Sequence, residues 1–101
     1  MVTSQVVGVP SEVRAVSLLN TATTDADLEY LSAFPGLRGL NLSQTQITNA
    51  GLEHLSGLKD LRWIQFSDTR ITNVGLRHLG GHINLEFVDL YKTGITDEGL
   101  Q

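Results

Sequence analysis

Three histidines, several serines, one of them beside an aspartate, and one asparagine sequon are the residues here whose types can do chemistry. His54 and His78 stand at equivalent places 24 residues apart, in one column with Tyr30, and His82 follows shortly after. Zinc needs about four ligands in tetrahedral array. The chain has no cysteine, and no carboxylate falls at a spacing that completes such a set with these histidines. No metal and no other cofactor is expected. A Ser-His-Asp relay needs nucleophile and base within hydrogen-bond reach. Ser43, Ser67 and Asp68 fall in strand-type segments and every histidine in helix-type segments, so the core should separate them. Asn41-Leu42-Ser43 spells a glycosylation sequon but falls mid-strand, and Gly80-Gly81 reads as a helix end rather than a phosphate loop. The residue types point away from an enzyme.

Composition agrees with a small packed domain. The 101 residues are 41% hydrophobic with net charge −4, which allows one core and disfavours a nucleic-acid binder with a broad basic face. No apolar run is long enough to span a membrane, and the opening MVTSQVVGVPSEV lacks the basic flank and apolar stretch of a signal peptide. No compartment is specified, although the missing export signal leans toward the cytoplasm.

The elements that position these residues repeat. Leu37, Leu61 and Leu85 are 24 residues apart, and self-similarity at such a period marks stacked repeat units. The single domain 1–101 divides into a cap segment 1–12, units 13–36, 37–60 and 61–84, and an incomplete unit 85–101. Each unit opens with period-two alternation, which turns Val16, Leu18, Leu40, Leu42, Ile64, Phe66, Val88 and Leu90 inward on a strand. A Thr-x-Ile-Thr element follows, then leucines at i, i+3 such as Leu52 and Leu55, suited to about two helical turns. Thr24, Thr48, Thr72 and Thr96 are expected to cap those turns by accepting a hydrogen bond from the first-turn N–H groups. Asp25, Asn49, Asn73 and Asp97 come next, where acidic members favour the positive helix end. Gly51, Gly75 and Gly99 recur at one place, as expected if the helix backbone packs closely on the strand layer. Thr21, Thr45, Thr69 and Thr93 are placed to satisfy buried backbone groups as a stacked ladder.

The pattern L-x-x-L-x-L-x-x-T-x-I-T-[DN]-x-G-L-x-x-L resembles the leucine-rich repeat, with Thr where Asn or Cys is more usual. In the third unit Leu61, Ile64, Phe66, Thr69, Ile71, Thr72, Gly75, Leu76 and Leu79 carry it. This Thr variant is similar to repeats of bacterial, notably planctomycete, proteins. The resemblance implies an α/β solenoid of about three and a half units, with a parallel sheet on the concave side and short helices on the convex side. It also implies a protein partner. Thr23 for Ile and Asp27 for Gly make the first unit atypical, as terminal units tend to be.

In such a stack, equivalent positions line up about 4.8 Å apart across the sheet. The third column is then Ala15, Gly39, Trp63 and Phe87, the fifth Ser17, Asn41, Gln65 and Asp89, and the seventh Leu19, Ser43, Ser67 and Tyr91. Trp63, Phe87 and Tyr91 gather toward the C-terminal end with Gln65 and Asp89 between them, a composition suited to a binding hot spot. Stacking between neighbouring strands is the alternative role for Trp63 and Phe87. Strand-side charges, Arg14, Arg38, Arg62, Arg70 and Lys92 against Asp68, Glu86 and Asp89, are mildly basic, whereas the helical side is acidic. Arg38 and Arg62 form, with Arg14, a stripe able to meet carboxylates on a partner. The open edge of Leu85 to Tyr91 is an association hazard, and the alternative role for the chain is a unit that pairs through it as a homodimer, or a fragment of a longer repeat protein whose function lies elsewhere.

Overall fold

The computed structural model describes residues 13–81 and 84–96. Four short strands, β1 (Ala15–Ser17), β2 (Gly39–Asn41), β3 (Trp63–Gln65) and β4 (Phe87–Asp89), form one parallel sheet in the order β1-β2-β3-β4. The register joins Ala15, Gly39, Trp63 and Phe87 in one row and Ser17, Asn41, Gln65 and Asp89 in another. Neighbours in each row are therefore 24 residues apart, the spacing of the repeated sequence.

Backbone stacking continues on both sides of the strands. The carbonyls of Arg14, Arg38 and Arg62 each accept two N–H groups from the next segment, as Arg62 does from Glu86 at 2.7 Å and Phe87 at 3.1 Å. Beyond the strands, the N–H groups of Asn20, Gln44 and Asp68 donate to the carbonyls of Ser43, Ser67 and Tyr91 at 3.0, 2.9 and 2.8 Å. The chain leaves each strand through a left-handed residue, Asn20, Gln44, Asp68 or Lys92, with φ of 53°, 58°, 57° and 56°. Such a conformation costs an L-residue roughly 1–2 kcal/mol, less for Asn and Asp. The stack imposes it four times, even on glutamine and lysine.

Behind the sheet lie short helical segments that are mostly 3-10: Asp25–Ala33, Asn49–Leu55 and Arg77–Leu79, the last preceded by the α-turn α1 (Asn73–Leu76). Leu52 and Leu55, with Leu58 just past the segment's end, suit this, because apolar residues three positions apart stay in line at three residues per turn. On an α-helix each step would lag by about 60°. All three are buried. They meet Leu37, Leu40, Leu42, Ile47, Leu61, Ile64, Phe66 and Ile71 from the sheet side, each fully excluded from solvent.

The last strand differs. Leu85, Val88, Leu90 and Ile95 are only half-buried, although Leu61, Ile64, Phe66 and Ile71, their equivalents one segment earlier, are 0% exposed. Thr21, Thr45, Thr69 and Thr93 each donate their hydroxyl to the carbonyl three residues back, at 2.6, 2.6, 2.7 and 2.7 Å. They serve backbone groups as expected, but within each segment and not as a ladder between segments. Thr23, buried where later segments have isoleucine, passes its hydroxyl to Thr21 at 2.6 Å. Thr21 already donates to Leu18, so Thr23 is the donor in that pair. The expected cap segment 1–12, His82, Asp97 and Gly99 lie outside the described residues.

Candidate functional surface

The helical side is held together by a contact that corrects two readings of the sequence. Thr48 and Thr72 do precede helical turns as their N-caps, but neither hydroxyl is given to its own helix; the residues after Thr96 lie outside the described ones. Each threonine instead engages the residue after the N-cap of the preceding segment. Thr48 donates its N–H to Asp25 Oδ1 at 2.6 Å and its hydroxyl to Asp25 Oδ2. The N–H of Thr72 donates to Asn49 Oδ1 at 2.8 Å, while Asn49 Nδ2 donates back to Thr72 Oγ1 at 2.7 Å. Asn73 and Thr96 repeat this at 2.9 and 2.7 Å. Two-point pairing fixes the orientation of one segment on the next as a single bond does not.

The clasp explains the glycines. A Cβ on Gly51 would stand 2.4 Å from Asp25 Oδ1 and 2.9 Å from Leu28 Cδ1, and one on Gly75 would stand 2.4 Å from Asn49 Oδ1 and 2.8 Å from Leu52 Cδ1. The tight neighbour is therefore the preceding helical segment, not the strand layer.

On the strand side, the structure distributes the expected contact residues unevenly. Trp63 is half-buried with its indole laid across Gly39, where an added Cβ would fall 2.0 Å from Cε2 and Cζ2. Its ring leans back over β2. Phe87 stands at the outer row of β4 and remains 54% exposed, and Tyr91, just past that strand, is 70% exposed. Asp89 lies between them and accepts the N–H of Tyr91 at 3.1 Å, so its carboxylate also shapes the turn that carries the tyrosine. Lys92 Nζ sits 5.6 Å from the Tyr91 ring centroid, within cation–π range. Gln65 pairs with Asp89 in register and is half-buried. Arg38 and Arg62 are both exposed, one at the start of each neighbouring strand segment.

One member of the seventh column departs from a common outward face. Ser43 is buried at 4% exposure, where its Oγ accepts the N–H of Ser67 at 3.1 Å, whereas Leu19 is 47% exposed. His54 and His78 are half-buried on the helical side. Among the described residues, no group of three or more His, Cys, Asp or Glu is placed to hold a metal ion. No helix among them is long and apolar enough to cross a membrane. The arrangement that remains is a strand face with two exposed aromatics at one end, flanked by a carboxylate, an amide and two guanidinium groups.

None of the curated proteins compared matches the chain. Residues 37–56, which hold β2, the left-handed Gln44, Thr45 and the Thr48–Asn49 clasp elements, match a family model described as Leucine Rich repeat. With the four parallel strands and short helices, that match supports an α/β repeat fold of the leucine-rich type, a family that commonly mediates protein–protein interaction and is generally non-catalytic.

Proposed function

We propose that the chain is a non-catalytic module, a single solenoid domain, that binds a protein partner through its strand face. One observation carries the reading: Phe87 and Tyr91 keep 54% and 70% of their surfaces exposed at the same end of a sheet whose other side packs on the apolar core. Large aromatics beside polar groups are favoured anchors in protein interfaces, because they bury much area at low entropic cost. Phe87 and Tyr91 are the central contacts, with Gln65 and Asp89 as polar neighbours and Arg38 and Arg62 available to partner carboxylates. Trp63 contributes its exposed face while the other holds β2. Trp63→Ala should weaken capture of a partner from native lysate by about thirtyfold, the loss of about 2 kcal/mol that an interface anchor carries. Circular dichroism should still report a folded domain; loss of fold would make Trp63 a purely structural residue.

A second reading is self-association through β4. The half-exposed Leu85, Val88, Leu90 and Ile95 favour it, since their equivalents are fully covered by the following segment. Light scattering at several concentrations decides: a strictly monomeric chain rejects a β4-edge dimer.

A further inference from the structure

Trp63 does not stand upright on β3. A Cβ on Gly39 would lie 2.0 Å from both Cε2 and Cζ2 of the indole and 2.5 Å from Nε1. Approach to the Cε2–Cζ2 bond in the ring plane would bring Nε1 nearer than either carbon, so that Cβ would rise into the ring's face. The indole therefore lies flat on β2 with one face against Gly39. Trp63 is only half-buried, and what it leaves to solvent is the opposite face and the rim. Among the described residues no ring contact joins it to Phe87.

The lean sets a spacing. Gly39 and Phe87 share a row with β3 between them, so the two aromatic stations are two strand steps apart, roughly 9.6 Å. An upright tryptophan would have left one step. A polyproline II helix returns to the same side every three residues, about 9.3 Å. An extended chain does so every two residues, at about 6.8 Å, and an α-helix after one or two turns, at about 5.4 or 10.8 Å. Polyproline II fits best. Its backbone has no internal hydrogen bonds and carries bare carbonyls, and the row alongside offers donors to them. Asn41 and Gln65 pair in register there. Asn41 Oδ1 accepts the N–H of Ser43 at 3.1 Å, which leaves Nδ2 as the free end, and among the described residues nothing engages the Gln65 amide. Charge differs between the stations: exposed Arg38 and Arg62 precede Gly39 and Trp63, whereas exposed Glu86 precedes Phe87.

Resting on the strand-face reading above, we propose that the partner segment is a proline-rich stretch in the polyproline II form. Prolines at i and i+3 stack on Trp63 and Phe87, and the carbonyls between them accept from Asn41 and Gln65. Such a segment is extended before it binds, so it loses little entropy on an aromatic-lined surface. A carboxylate beyond the first proline meets Arg38 and Arg62, and a cation beyond the second meets Glu86 and Asp89, which selects one chain direction.

The probes are the capped peptides Glu-Pro-Ala-Ala-Pro-Lys and Lys-Pro-Ala-Ala-Pro-Glu, each paired with a control carrying a third alanine between the prolines. Trp63 is the only tryptophan, so its emission reports titration of the full chain. One of the two orders should give a saturable change and bind about tenfold tighter than its control, the worth of one stacked ring. Phe87→Ala should erase that spacing preference, and so should Gly39→Ala, which keeps both rings but lifts the indole off β2. If circular dichroism shows Gly39→Ala unfolded, the exposed Phe87 position still carries the test. Overturning results are no saturable change with either order, equal affinity for the two spacings, or a saturable response to cellohexaose in place of the peptides. Capture of a protein through Phe87 and Tyr91 that millimolar peptide does not displace would leave the strand-face reading standing and overturn the proline inference alone.

Discussion

Replacing Gly75 by alanine sets helix propensity against the clasp, and the structure says which wins. Propensity favours alanine over glycine by about 1 kcal/mol inside a helix. Against that gain, the new Cβ would lie 2.4 Å from Asn49 Oδ1 and 2.8 Å from Leu52 Cδ1, well inside contact distance. Asn49 then has to leave, breaking the 2.8 Å bond from the Thr72 N–H and the 2.7 Å bond to its hydroxyl. Two such bonds contribute about 2 kcal/mol together, and a partly buried donor left unpaired adds to the cost. Leu52, fully buried, has to shift as well, an overpacking cost of about 1–3 kcal/mol. The net effect is a destabilisation of about 3 kcal/mol, or a fall in Tm of roughly 12 to 24 °C for a domain of this size. Urea denaturation followed by circular dichroism measures it. A double-mutant cycle with Asn49→Ala adds the cause: if the clash with Asn49 is the source, the pair should cost about 1–2 kcal/mol less than the two single changes summed. A neutral or stabilising Gly75→Ala, or strict additivity with Asn49→Ala, would refute the reasoning.

Gln44 sits at φ 58°, so Gln44→Gly should stabilise the chain by on the order of 0.5 kcal/mol, relief of the left-handed strain outweighing the added freedom of the unfolded chain; a lowered urea midpoint would count against it. Gly39→Ala should push the indole of Trp63 off β2 and into water, because the new Cβ would fall 2.0 Å from the ring. Trp63 is the only tryptophan, so its emission reads this directly: a red shift is expected, and an unchanged spectrum in a folded variant would contradict the described packing.

The rows of the sheet were readable from the alignment because one face of each strand is buried, and a slip of one residue would turn every apolar side chain outward. Leu40, Leu42, Ile64 and Phe66 are at 0% exposure for that reason. The clasp was not readable. Asp25 and Asn49 look like ordinary first-turn residues, and their partners Thr48 and Thr72 lie 23 positions away, reached only once the segments have stacked. The left-handed column was hidden too, since Gln44 and Lys92 carry no preference for positive φ and are driven there by the backbone bonds on either side of the turn. A signal for the lean of Trp63 was present, a glycine beside a tryptophan in one row, but a row says which residues are neighbours and not which way a ring falls. The i, i+3 spacing of Leu52 and Leu55 suits a 3-10 turn, but two leucines alone specify only a helical segment and not its pitch.

The central claim is that the strand face near β4 meets a protein partner. Its most direct test compares wild type, Phe87→Ala with Tyr91→Ala, and the helix-side pair Tyr30→Ala with Val74→Ala in affinity capture from one native lysate. Tyr30 and Val74 are also exposed, at 59% and 57%, so the two pairs remove similar apolar surface from opposite sides. The account predicts a partner captured by wild type and by the helix-side variant and lost from the Phe87 and Tyr91 variant, with all three equally folded. Capture that survives the loss of Phe87 and Tyr91, or disappears only with Tyr30 and Val74, would contradict it.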